Sequence, residues 1–177
     1  MLSVLILEGF SDGEFCADSN VMNEILKIYV PLLTGILRYN GIKCETVCPN
    51  GLERQYKIIG GDKENIVYVP SFVCSQSENA AVSFLYTDSV DGSSESFRIA
   101  AKLRAQRAEI FNQVVFVNQL QKNNVLKNFY PIIVDEICFK KATPVCDAAE
   151  KLYIIALGFC RCLCQHNGLI FKDPSIV

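Results

Sequence analysis

The chain has 177 residues, half of them hydrophobic and a fifth charged, so it is long enough to bury one full core and ordinary in composition for a compact α/β protein. Its formal net charge is −2 and it lacks a basic stripe with interleaved aromatic residues, which argues against a nucleic-acid partner. Charged residues such as Lys140, Lys141 and Asp147 interrupt its most apolar stretch, so the sequence predicts no membrane span.

The number and placement of the cysteines indicate whether the protein works in a reducing or an oxidising compartment. There are nine, an odd number that cannot pair completely, and most lie in apolar runs where cysteine acts as a small hydrophobic residue. This pattern favours a reducing environment over a disulfide scaffold. The first residues lack a basic leader and reach Glu8 too early for a signal peptide. The sequence therefore predicts a cytoplasmic protein that leaves the cell only by lysis or with a partner.

The first half of the chain combines continuous apolar runs with helical periodicity. The predicted elements, in order, are a strand over 2–7, a helix over 19–40, a strand over 42–48, a short helix over 53–59 and a strand over 66–69. The first strand is apolar at every position, which is typical of a strand buried on both faces. Pro31 lies inside the long helical pattern and is expected to kink the helix or divide it.

The second half continues the alternation of strands and helices. The predicted elements are strands over 80–86, 114–117 and 130–134, helices over 94–112 and 142–165, and a tail over 169–177. This order predicts a single α/β domain over 1–177, with a mostly parallel, twisted sheet of five or six strands and helices on both faces. The residues expected to be buried in central strands are Leu5, Ile6, Val67, Val69, Ile133 and Val134.

Four short motifs follow one another along these elements. They are Glu8-Gly9-Phe10 after the first strand, Asn23-Glu24 at the start of the first helix, Pro70-Ser71-Phe72 after the third strand, and Asp135-Glu136 after the last strand. Their order and spacing resemble those of the zinc-dependent N-acetylmuramoyl-L-alanine amidases, cell-wall hydrolases that include clostridial phage endolysin domains. The resemblance covers roughly residues 1–163.

The resemblance implies roles for these positions. In that family the first and third strands end in zinc-binding histidines, a glutamate opening the first helix is another ligand, and a late glutamate is catalytic. Glu24 and Glu136 match the two glutamates. Phe10 and Phe72, or Ser71 in a shifted register, stand at the histidine positions. Because a phenyl ring offers no lone pair to zinc, the resemblance predicts an amidase fold without a bound cofactor.

Two functions from different classes follow. The favoured one is a non-catalytic relative of the amidases that binds a protein partner or a peptidoglycan fragment in a degenerate pocket. The residues expected around that pocket are Phe10, Ser71, Phe72, Cys74, Glu24 and Glu136. The alternative is an active wall hydrolase with zinc in a rearranged site, whose candidate ligands are Glu24, Cys74 and one of Glu8, Asp12 and Glu14. A third hypothesis is a structural subunit of a phage or sporulation assembly.

The end of the last helix carries Cys160, Cys162, Cys164 and His166, the only histidine of the chain. Residues two apart do not face each other on a helix, so Cys160 and Cys164 share a side that Cys162 does not. We interpret these thiols as buried structural residues. A Cys162–His166 pair has helical spacing, but two ligands without others are a weak indication of a metal site. Serine–histidine catalysis would depend on His166 alone.

Overall fold

The computed structural model describes residues 2–7, 19–48, 51, 65–75, 82–87, 94–111, 113–117, 131–140 and 145–176. In chain order these residues form β1 (Ser3–Leu7), α1 (Ser19–Tyr39), β2 (Lys43–Val47), β3 (Asn65–Ser75), β4 (Val82–Thr87), α2 (Glu95–Arg107), β5 (Gln113–Val117), β6 (Ile132–Lys140) and α3 (Val145–His166). A 3-10 turn, Pro174–Ile176, follows α3. The short helix predicted over 53–59 lies outside the described residues.

The six described strands form one sheet in the order β2-β1-β3-β6-β4-β5. Strands β2, β1, β3 and β6 are parallel to one another, whereas β4 runs antiparallel to β6 and parallel to β5. The predicted central-strand residues are all buried, namely Leu5, Ile6, Val67, Val69, Ile133 and Val134. The prediction of a single α/β domain with a mostly parallel sheet of five or six strands is therefore confirmed.

The three described helices lie over one face of the sheet, which we call the helix face. Helix α3 packs against both α1 and α2, and α1 and α2 contact the strands. The strand residues that join the core on this face are Val4, Ile6, Cys44, Ile66, Tyr68, Phe72, Leu85, Ile133, Ile137 and Phe139. Residues that alternate with them, such as Leu5, Leu7 and Val67, are fully buried too. Both faces of the sheet are therefore covered. In the part of the chain that the structure describes, no helix is long and apolar enough to cross a membrane.

Helix α1 is continuous despite Pro31. The proline is exposed, on the side away from the sheet, whereas Tyr29 and Leu33 on the opposite side are fully buried. Proline removes one backbone hydrogen bond, but packing of the inner side holds the turns before and after it together. The expectation that Pro31 divides the helix is therefore wrong. The helix ends before Gly41, whose φ of 73° is the left-handed conformation that glycine adopts readily.

Strands β3 and β6 extend well beyond the predicted ends at residues 69 and 134. They pair in parallel from Val67 and Ile132 to Ser75 and Lys140. The apolar alternation continues through this extension, because Phe72 and Phe139 still pack into the core. Residues expected in the loops after the strands therefore lie within the ladder.

A chain of buried polar side chains crosses the interface between the helices and the sheet. Arg107, the last residue of α2, pairs with Asp135 of β6 at 2.6 Å between Nη2 and Oδ2. The Tyr68 hydroxyl donates to the same Oδ2 at 2.7 Å, and the hydroxyls of Tyr68 and Tyr29 are 3.0 Å apart. These four residues, which we call the buried network, connect two helices to the two central strands.

The buried network predicts an unusual tyrosine titration. Burial raises the pKa of Tyr29 and Tyr68 well above the ordinary value of 10, and the Asp135 carboxylate raises that of Tyr68 further. Because the unfolded chain releases these protons above about pH 10, stability is complete below that pH and falls above it, by up to about 1.4 kcal/mol per pH unit for each tyrosine.

Absorbance titration should therefore show that at least two of the seven tyrosines stay protonated until the protein unfolds. A Tyr29→Phe variant should lose one of these late transitions. Reversible ionisation of all seven tyrosines in the folded protein would contradict the network.

Candidate functional site

Ser71 and Glu136 are paired neighbours on the two central strands. Ser71 and Glu136 are directly opposite each other in the parallel pairing of β3 and β6, so their side chains lie on the same face of the sheet. Neighbouring strands are about 4.8 Å apart. Both are half-buried, whereas Val69 and Val134, two residues earlier on that face, are buried. On its other side Glu136 pairs with Phe84 of β4. This face is the one opposite the three described helices. A hydroxyl beside a carboxylate, next to the buried Val69 and Val134 on the same face, is the candidate site.

Phe72 lies on the helix face, away from Glu136. Only 4% of it is exposed, and its ring meets the Tyr29 ring edge to face with centroids 5.1 Å apart. It also stacks near Phe139, with centroids 6.0 Å apart. The expectation that Phe72 lines a pocket with Glu136 needs correction, because adjacent residues of a strand point to opposite faces. Ser71, the shifted-register alternative, is the residue that the structure places beside Glu136.

Glu24 lies in the first part of α1 and is directed toward solvent. Its carboxylate accepts from Lys27 Nζ at 2.6 Å, and both side chains are about two-thirds exposed, at 68% and 69%. An exposed pair one helical turn apart stabilises a helix slightly whether or not a metal is near. Glu24 is therefore an ordinary surface residue of the helix.

The described residues supply few donors for a zinc site. Glu24 supplies a carboxylate and Ser71 a hydroxyl, but Phe72 supplies no donor, whereas a catalytic zinc requires three protein ligands. No three His, Cys, Asp or Glu side chains in the described ranges lie close enough together to hold a metal ion. Several predicted positions lie outside this description, namely Phe10, Glu8, Asp12, Glu14 and the side chain of Cys74.

The only histidine lies near the start of β6, at the other end of that strand from Glu136. His166 Nε2 is 2.9 Å from Oε1 of Glu95, the first residue of α2. The next residue, Ser96, accepts a hydrogen bond from the backbone N–H of Ile132, the first residue of β6. Glu136 is four residues further along that strand, about 13 Å away at 3.3 Å per residue. His166 therefore joins the end of α3 to the start of α2 and lies far from the candidate site.

The three clustered cysteines are buried, as the sequence predicted. Cys160 and Cys164 lie on the side of α3 that faces α1, where their sulfurs approach Ile36 O and Asn40 Oδ1. Burial raises the pKa of all three thiols, that of Cys162 to about 11, so they are protonated at neutral pH. A protonated thiol is a poor nucleophile and a poor metal ligand.

No protein-family model and no curated protein matches this chain by sequence. Solved structures do match it. The catalytic domain of CwlV, an N-acetylmuramoyl-L-alanine amidase from Bacillus (Paenibacillus) polymyxa var. colistinus, superposes with a TM-score of 0.66 at 16% identity, over 96% of this chain and 100% of that one. The N-acetylmuramoyl-L-alanine amidase AmiC2 of Nostoc punctiforme gives a TM-score of 0.68 at 12% identity, over 94% and 97% of the two chains.

A third similar structure is the CwlD amidase from Clostridioides difficile, solved in complex with the GerS lipoprotein. It gives a TM-score of 0.64 at 9% identity, over 95% of this chain and 99% of that one. These similarities span almost the whole of each chain, while the identities are low. The described topology and these comparisons lead to one conclusion: the protein has the fold of the N-acetylmuramoyl-L-alanine amidase catalytic domains.

Proposed function

We propose that this protein is a non-catalytic relative of the peptidoglycan amidases and acts by binding. The observation that carries the proposal is the histidine content: the chain has one histidine, and it contacts Glu95 near the start of β6, whereas Glu136 lies four residues further along that strand. A zinc amidase of this fold uses imidazole ligands at its strand ends. Neither Ser71 nor Phe72 supplies one, and neither does Phe10, the residue at the other expected position.

The pair of Ser71 and Glu136 suits recognition. A carboxylate accepts hydrogen bonds from amide N–H and hydroxyl groups, and a serine hydroxyl both donates and accepts. Peptidoglycan fragments present amides and hydroxyls on the same molecule, and so does a peptide of a partner protein. Without a metal to activate water, Glu136 would hold such groups in place rather than transfer protons in hydrolysis.

A protein partner is the second part of the proposal. The CwlD amidase, which shares this fold, was solved with a lipoprotein bound, so a domain of this shape accommodates a protein ligand. We propose that this chain works in the cytoplasm and meets wall material only after lysis or together with its partner.

The alternative is an active wall hydrolase with a rearranged metal site, and the two retained carboxylates, Glu24 and Glu136, are the observation in its favour. Its ligands would include Glu24, Cys74 and one of Glu8, Asp12 and Glu14. In contrast to the favoured proposal, it requires a tightly bound metal, which makes the two functions separable by a single measurement.

Elemental analysis of protein purified from zinc-supplemented medium is expected to give less than one zinc per chain, because one carboxylate is too few ligands for a tetrahedral site. The same preparation should not lyse purified peptidoglycan, but it should bind soluble peptidoglycan fragments or a captured partner in a manner that Ser71→Ala and Glu136→Gln weaken. The control is Glu150→Gln, which changes an exposed glutamate of α3.

The hydrolase would be established instead by two results: stoichiometric zinc that is lost in Glu24→Gln or Cys74→Ser, and cleavage of the muramoyl-amide bond. If the protein contains no zinc and the Ser71 and Glu136 substitutions do not change binding, the proposed site is refuted.

A further inference from the structure

The large apolar side chains that remain exposed lie on one part of the surface. Among the described residues they are all on α1, on α3 or in the segment after α3, namely Ile28, Tyr39, Ile154, Leu169 and Ile170. The exposed residues of α2, in contrast, are arginines and alanines. Apolar side chains that are concentrated on one side of a protein, rather than scattered singly, mark a contact surface.

Helix α1 contributes an outer stripe to this surface, which we call the α1 seam. Its members are all exposed and are separated alternately by four and three residues, namely Glu24, Ile28, Pro31, Gly35 and Arg38. This spacing keeps side chains on one side of a helix and is the spacing of contact positions in paired helices. The opposite side of α1 carries Leu33 and Leu37, which are fully buried. The seam is therefore the side of α1 that nothing in the described chain covers.

Helix α3 extends the apolar surface beside the seam. It runs parallel to α1, because Cys160 contacts Ile36 O and Cys164 contacts Asn40 Oδ1. Ile154 is therefore level with the middle of the seam, and 45% of it is exposed.

Two residues of the seam are unfavourable in a helix and are not required by packing within one chain. Pro31 removes a backbone hydrogen bond, and a glycine inside a helix is less stable than alanine. A Cβ atom added at Gly35 would meet no neighbouring heavy atom within 4 Å, so packing within the chain does not exclude a side chain there. Gly35 therefore leaves room on the surface that the side chain of another molecule can occupy.

We propose that the α1 seams of two copies of this chain pack antiparallel across a two-fold axis near Pro31. An antiparallel pair matches each residue with the one about equally far on the other side of the axis. Ile28 of one copy then lies opposite Gly35 of the second copy, and Glu24 lies opposite Arg38 of the second copy. Each of these contacts occurs twice, because the interface is isologous.

Complementarity of volume and charge favours a second copy as the occupant. A branched side chain, Ile28, meets the position without one, as a knob fits a hole between helices. A carboxylate meets a guanidinium, which is an attractive pair. The parallel arrangement would instead bring like charges together at Glu24 and again at Arg38, and like charges across an interface are unfavourable. The seam is therefore complementary to itself in the antiparallel direction.

This dimer leaves the candidate site uncovered. Ser71 and Glu136 share the face of the sheet opposite the three described helices, whereas the seam is on the outer side of the helix layer. One dimer therefore presents two candidate sites, which face away from each other.

Sedimentation equilibrium over a range of protein concentrations should show a monomer–dimer equilibrium for the wild type. Gly35→Ala should raise the dissociation constant at least about tenfold, because the added methyl group holds the two helices apart. The same substitution should raise the urea midpoint of the monomer, because alanine favours the helix and its methyl group meets open space. A variant that simply folds poorly cannot give both results. Ile28→Ser should also weaken the dimer.

Exchange of the charges tests the antiparallel register. Glu24→Arg and Arg38→Glu should each raise the dissociation constant at least about tenfold, because like charges then meet at both ends of the interface. An equal mixture of the two variants should form a heterodimer, since every contact again joins opposite charges. The control is Glu109→Arg, which makes the same change of charge at an exposed residue after α2 and should dimerise as the wild type does.

Three results would overturn the proposal. A wild type that stays monomeric would leave the α1 seam to a different protein. Dimerisation that is unchanged in Gly35→Ala and in both charge variants would place the interface elsewhere. Charge variants that fail to associate when mixed, while the wild type dimerises, would contradict the antiparallel register.

Discussion

Replacing Asp135 with alanine is expected to lower the free energy of unfolding by about 3–5 kcal/mol, because it leaves the Arg107 guanidinium buried without a partner. The two side chains are 1% and 0% exposed and lie 2.6 Å apart. Tyr68 loses its acceptor in the same step. A loss of this size is a large part of the 5–15 kcal/mol that is usual for a domain. Urea denaturation followed by circular dichroism measures it.

The control for this effect is the removal of both charges. The double variant Arg107→Met with Asp135→Leu should be much less destabilised than the sum of the two single variants, because no unpaired charge remains buried. The exposed ion pair of Glu24 and Lys27 serves as a comparison for the buried pair. Glu24→Ala should lower the free energy of unfolding by at most about 1 kcal/mol. Additive losses in the buried double variant would mean that Arg107 and Asp135 are not a coupled pair.

The second large effect separates the two faces of β3. Phe72→His is expected to destabilise the protein by about 3 kcal/mol, because it replaces a buried ring by a smaller polar one in contact with Tyr29 and Phe139. Ser71→His should be far better tolerated, since Ser71 is half-buried on the opposite face. Thermal unfolding of the two single variants gives the comparison directly.

The same two substitutions, each combined with Phe10→His, test where the resemblance to the amidases would place a metal. Phe10→His with Ser71→His should gain zinc affinity in calorimetric titration if the fold still presents its strand ends as the amidases do. Phe10→His with Phe72→His should gain none, since its second imidazole points into the core. Zinc binding by the Phe72 variant alone would show that the register of β3 is wrong. Amidase activity is not required of either double variant, because the quantity tested is zinc affinity.

Much of the fold is readable from hydrophobic periodicity. The fully apolar run of β1 predicts a strand buried on both faces, and the spacing of apolar residues in α1 and α3 predicts long helices with one buried side. Alternation of strands and helices then implies a largely parallel sheet. The scarcity of histidine is also a property of the sequence alone, and it carries the proposed function. Local patterns determine these features because each depends only on neighbouring residues.

The composition of the site was decided by tertiary pairing. Residues 69–74 are mostly apolar, so the sequence does not show which of Ser71 and Phe72 faces the core; the register with β6 does. The adjacent acids Asp135 and Glu136 must point to opposite faces, which predicts that one is buried. Its partner, Arg107, is 28 residues away and could not be identified from spacing.

The same reason applies to the other unexpected features. Pro31 is tolerated because of what packs on the far side of α1, and the Asn40 amide joins residues 132 positions apart. The sequence by itself determined the order and type of the described elements and the burial of the central strands. The tertiary structure alone decided which distant side chains meet, because those contacts depend on how strands pair and helices pack rather than on any local preference.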